Sequence, residues 1–116
     1  METNMTIPCS LRVLRAAMMA GFIATALSSG AARAQDATVK IKSFMFMPMA
    51  VTIHAGETVT WTNMDEEPHT VTSNTGLFRS GGIDGGGTYS FKFEKPGVYK
   101  YSCSIHPQMI GTITVQ

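Results

Sequence analysis

Near its C-terminus the chain carries Cys103-Ser104-Ile105-His106-Pro107-Gln108-Met109, which spaces a thiol, an imidazole and a thioether three residues apart. A second imidazole, His69, stands well upstream, directly after Pro68. Taken singly, each has an ordinary reading. A lone cysteine packs as a small apolar residue, a lone histidine sits on a surface, and a methionine beside Ile110 fills a core. Together, two imidazoles, a soft thiolate and a weakly binding thioether compose a trigonal two-histidine, one-cysteine copper site with an axial methionine. Cu(I) prefers sulfur and Cu(II) prefers nitrogen, so a mixed set held rigidly serves both states with little rearrangement. Zinc fits less well, because thioether is a poor zinc ligand. A Cys–His nucleophile would want a third orienting group, and none is evident.

Rigid strands must hold such a set, and most of the chain downstream of residue 36 alternates with period two. Val39 and Ile41 alternate with Thr38, Lys40 and Lys42; Val51 and Ile53 with Thr52 and His54; Val59 and Trp61 with Thr58, Thr60 and Thr62. Val71 falls between threonines, Tyr89, Phe91 and Phe93 between Ser90 and Lys92, and runs at Val98–Cys103 and Ile113–Val115 follow. Thr, Val, Tyr and Phe suit a pleated, half-buried surface. Ala55-Gly56, the loop from Asn63 to Pro68, the glycine-rich 80–87 stretch and Lys95-Pro96-Gly97 break the runs. No helical period appears, so the fold class is all-β, a sandwich or barrel of about seven to eight short strands. Parity points His69 and Cys103 inward and His54 to water. Pro107 fixes its own φ and biases His106 towards an extended backbone.

The first third reads as an address. Arg12 and Arg15 precede an uncharged stretch from Ala16 to Leu27, and small residues lead to Ala32-Arg33-Ala34. A charged start, a short apolar core and an A-x-A site make a secretory signal peptide over residues 1–34, cleaved after Ala34. Export to the periplasm follows. Cleavage removes Cys9 and leaves Cys103 alone in a domain at 35–116, where no internal disulfide can form. A domain of about 80 residues has a small core, which a bound metal would reinforce. No apolar run reaches the roughly 20 residues of a bilayer span. With 15% charged residues and a formal net charge of +1, nothing suggests a nucleic-acid partner, and the mature domain is not expected to insert into a membrane.

The motif set resembles the small cupredoxins, close to the amicyanin and plastocyanin group. The resemblance spans nearly all of Val39–Val115. It includes Phe46-x-Pro48, the run from Gly56 to Asn63, Pro68-His69-Thr70-Val71, Phe78-Arg79-Ser80-Gly81, and Lys95-Pro96-Gly97-Val98-Tyr99-x-Tyr101-x-Cys103. The Cys-x-x-His-x-x-Met spacing matches the short loop of amicyanins. The resemblance implies a Greek-key β-sandwich whose type 1 copper ion is bound by His69, Cys103, His106 and Met109. It implies an exported, monomeric one-electron carrier, not an enzyme, working between a donor and an acceptor protein. The alternative is a periplasmic copper-handling protein with no redox partner. Relatives often carry Asn after the first ligand histidine, where this chain has Thr70; bracing of the site is therefore expected from Thr70 or Asn63, with Pro68 and Pro107 beside the histidines. The loop histidine's edge implies a docking face at Ile105, His106 and Pro107. Three further expectations come from the residues alone. Met45, Met47 and Met49 read as core and edge filling rather than a thioether patch that acquires copper. Trp61 reads as core, and Asp65-Glu66-Glu67 as a solvated loop.

Overall fold

The computed structural model describes Gly21 and residues 36–116. The signal peptide at 1–34 and its cleavage after Ala34 therefore lie, Gly21 apart, outside the described residues. Eight strands follow in order: β1 (Ala37–Lys42), β2 (Met45–Met47), β3 (Ala50–Ile53), β4 (Thr58–Asn63), β5 (Thr72–Ser73), β6 (Thr88–Lys92), β7 (Gly97–Ser102) and β8 (Ile110–Val115). They form two four-stranded sheets, ordered β2-β1-β4-β6 and β3-β8-β7-β5. The β1–β4 and β3–β8 pairs are parallel and the others antiparallel. The chain crosses between sheets rather than meandering, and the result is a Greek-key sandwich.

Alternation produces the core. β4 reads intermediate-buried throughout, with Val59, Trp61 and Asn63 inward. Val39 and Ile41 face the same way from β1, and Ile53, Tyr101, Ile113 and Val115 meet them from the second sheet in one cluster. Trp61 is fully buried, and its indole N–H donates to the Tyr101 hydroxyl at 3.1 Å, tying the sheets together. Burial raises the Tyr101 phenol to about 12, although that hydrogen bond pulls the other way, so the ring stays neutral. Gly111 faces Tyr101 across the β7–β8 pair, and a Cβ there would overlap the Tyr101 ring.

Two expectations needed correction. The run around Val71 pairs in a sheet only at Thr72–Ser73, while the 74–87 connection folds back along it, with Ile83 bridging His69 and Arg79 bridging Thr72. Met45 and Met47 belong to an added strand, β2, at the edge of its sheet. Phe46 turns into the core while Met45, Met47 and Met49 are about half exposed. The edge part of the expectation holds and the core part does not, because the period of two gives the inward position to the phenylalanine.

Candidate metal centre

Two separate segments converge at one end of the sandwich. Cys103 follows β7 directly, and His106 and Met109 lie in the loop that joins β7 to β8. His69 comes from the connection between β4 and β5. It is fixed by a reciprocal backbone pair with Ile83, His69 N–H to Ile83 O at 3.1 Å and Ile83 N–H to His69 O at 2.7 Å. The ligand-type atoms of His69, Cys103 and His106 lie within 4.8 Å of one another. Both histidines turn Nδ1 to the sulfur, at 3.9 Å for His69 and 3.7 Å for His106. Met109 is buried, as are His69 and Cys103. Its backbone closes the loop: Cys103 N–H donates to Met109 O at 3.0 Å and Met109 N–H to His106 O at 2.9 Å.

The thiol is prepared for a cation. Burial alone would raise its pKa, but the Thr70 backbone N–H, 3.3 Å from Sγ, and the two imidazoles favour the thiolate and bring it down to about 6. Thr70 also braces the loop. Its hydroxyl accepts the Ser104 N–H at 2.8 Å and shares hydrogen bonds with the Ser104 and Thr72 hydroxyls. The expected bracing by Thr70 or Asn63 thus divides. Thr70 meets the cysteine, whereas the buried Asn63 holds the acidic loop, donating to Glu67 O and Ile83 O and accepting the Asp65 N–H. Pro68 and Pro107 are exposed beside the two histidines, and Ile105 is exposed next to a half-buried His106.

Sequence reasoning missed two residues. Asp65 is not a solvated loop residue; only Glu66 and Glu67 are exposed as expected. Its Oδ2 lies 2.9 Å from His69 Nε2. An ionised carboxylate can only accept, so Nε2–H donates to it and fixes the ring with Nδ1 turned to Cys103. The same carboxylate accepts the Ser43 N–H at 2.8 Å and the Phe44 N–H at 3.0 Å. Burial would raise the Asp65 pKa, but the Phe44 and Ser43 amides and then His69 outweigh it and hold the carboxyl below its usual range. Ser43 and Phe44 adopt positive φ, 53° and 58°, a conformation uncommon outside glycine. That turn sets the Phe44 ring edge-on against both His69 and His106, at centroid distances of 5.1 and 4.9 Å. The only signal in the sequence was an aspartate four residues ahead of His69.

A thiol brought down to about 6 and two imidazoles with Nδ1 turned to it, with the Phe44 ring packed against both, fit a copper ion that changes oxidation state. The molecule is therefore a copper-binding β-sandwich of the type 1 class. The cupredoxin-like domain family matches residues 14–115, and the chain belongs to that family. It is 40% identical over 113 residues to amicyanin-alpha of Methylorubrum extorquens, covering 87% of this chain and 95% of that protein. It is 39% identical over 98 residues to plastocyanin of Scenedesmus fuscus, covering 70% of this chain and all of that protein. A solved Cu(I) form of an amicyanin variant superposes with a TM-score of 0.67 at 27% identity, over 70% of this chain and 82% of that one.

Proposed function

We propose that the protein is an exported, periplasmic one-electron carrier, with His69, Cys103, His106 and Met109 as ligands of a single copper ion and no catalytic activity of its own. The observation that carries this reading is the approach of Cys103 Sγ to both Nδ1 atoms, one from its own loop and one from the separately anchored β4–β5 connection. When bound, copper supplies a one-electron couple between Cu(I) and Cu(II). The chain supplies a frame that resists rearrangement. Asp65 fixes the His69 ring and its proton, Thr70 fixes the thiolate and Ser104, and the Met109 backbone closes the ligand loop.

Burial of His69, Cys103 and Met109 argues against catalysis, because catalytic metal sites keep an open position for substrate. His106 alone among the four is only partly covered. Ile105, 51% exposed, and Pro107 flank it, and this apolar edge would serve as the transient docking face of a monomer for donor and acceptor proteins. Residues 1–34 would act as the leader removed after Ala34. The test is voltammetry of the copper-loaded protein. A reversible one-electron wave supports the carrier; tight copper binding without a reversible wave would favour copper handling instead.

A further inference from the structure

The geometry points to a second, thioether site for Cu(I): a surface cavity walled by Met45 and Met49 and floored by Met109, which receives the ion before it passes to Cys103. The inference rests on the copper reading of the principal site and adds a route by which that site fills.

The cavity measures about 40 Å³ and is lined by Phe44, Met45, Phe46, Met49, Gln108, Met109 and Ile110. That is larger than the roughly 10–15 Å³ one water requires. Its lining residues include three methionines and one glutamine, and none carries a carboxylate, imidazole or thiol. Thioether sulfur is a soft, neutral donor that selects Cu(I) over harder ions.

The cavity adjoins the principal donors through two shared residues. Met109 lines it and closes the ligand loop, and Phe44 lines it while its ring stands against His69 and His106. Met45 and Met49 are about half exposed, so an incoming ion meets them before the buried thiol. Their placement also answers why large apolar side chains stand outward on, and just after, an edge strand that Phe46 alone anchors in the core. Met47 lies on the same strand, equally exposed, yet does not line the cavity, which supplies an internal control. Transfer is a ligand exchange without electron transfer: the Cu(I)–thioether bonds break, a Cu(I)–thiolate bond forms at Cys103, and the thiol proton, where present, leaves to solvent.

The experiment loads the metal-free protein anaerobically with Cu(I) supplied as its acetonitrile complex. It follows the rate by stopped-flow and the final copper content by elemental analysis. Met45→Leu/Met49→Leu preserves volume and apolarity, so folding is retained. Its loading should slow roughly tenfold or more, because an ion held beside the site presents an effective concentration that dilute free ion does not. Met47→Leu should load at the wild-type rate. One equivalent of Cu(I) added to Cys103→Ala should shift the Met45 and Met49 methyl resonances and leave that of Met47 in place. The inference is overturned if the double variant loads within about twofold of wild type, if Met47→Leu slows equally, or if no methyl resonance moves. A wild type that ends with no bound copper would overturn the copper reading itself, an outcome the final metal content separates from a slow rate.

Discussion

Replacing Asp65 by Asn exchanges one carboxylate oxygen for an NH₂ group and removes one charge. Oδ2 faces His69 Nε2 at 2.9 Å. Adding the width of an imidazole ring and a metal–nitrogen bond of about 2 Å places the carboxylate roughly 7 Å from a metal on Nδ1. Oxidation of copper adds one positive charge at that distance. Coulomb's law makes the stabilisation about 0.6 kcal/mol at a water-like dielectric and about 2.4 kcal/mol at an effective dielectric of 20. For one electron this corresponds to a potential about 25 to 100 mV higher in Asp65→Asn than in wild type. The amide can keep its oxygen towards His69, but its NH₂ group then faces the Ser43 N–H that now donates to Oδ1 at 2.8 Å. One hydrogen bond is lost there, at a cost of about 1 kcal/mol, and the Ser43–Phe44 turn should exchange its amide protons faster. Voltammetry reads the first effect and hydrogen exchange the second. Asp65→Glu, which restores the charge, should recover most of the potential. A potential unchanged or lowered in Asp65→Asn would refute the assignment of this carboxylate to the copper site.

Thr70→Val should destabilise the fold by about 1–2 kcal/mol in urea, because the Ser104 N–H loses its acceptor, while the thiolate keeps the Thr70 backbone N–H. Gly111→Ala forces Tyr101 aside and should cost about 1–3 kcal/mol by the same assay. The Cys103 thiol of the metal-free protein should deprotonate near pH 6, read from thiolate ultraviolet absorption. Because that value lies below the ordinary thiol range, the unfolded chain binds the proton more readily. The thiolate's contribution to stability is then complete above the unfolded thiol's pKa and lost as pH falls through about 6. The melting temperature of the metal-free protein should therefore rise across that interval, and Cys103→Ser should flatten this rise.

Much of this was legible in residue order because it depends on local periods. The alternation of Val59 and Trp61 with threonines named a buried strand face, and the thiol and imidazole three residues apart after such a strand named a ligand loop. The partnership of His69 with that loop followed from type and parity. What stayed hidden depends on contacts between distant segments. Asp65 sits in an acidic run, and nothing in Asp65-Glu66-Glu67 tells the inward carboxylate from its exposed neighbours until Asn63 and the Ser43–Phe44 turn hold it. The positive φ values fall on serine and phenylalanine, where no glycine marks them. β2 escaped notice because its outward residues are methionines, which disguise a polar-out, apolar-in strand as continuous core.

The central claim is that two imidazoles and the Cys103 thiolate form one site for a copper ion, and titration of the metal-free protein with Cu(II) tests it most directly. Thiolate bonded to Cu(II) gives an intense visible charge-transfer band. The account predicts a band that grows linearly, saturates at one equivalent, bleaches on reduction and returns on reoxidation, and is absent from Cys103→Ala. A wild-type protein that stays colourless with stoichiometric Cu(II), or a Cys103→Ala protein that colours as strongly, would contradict it.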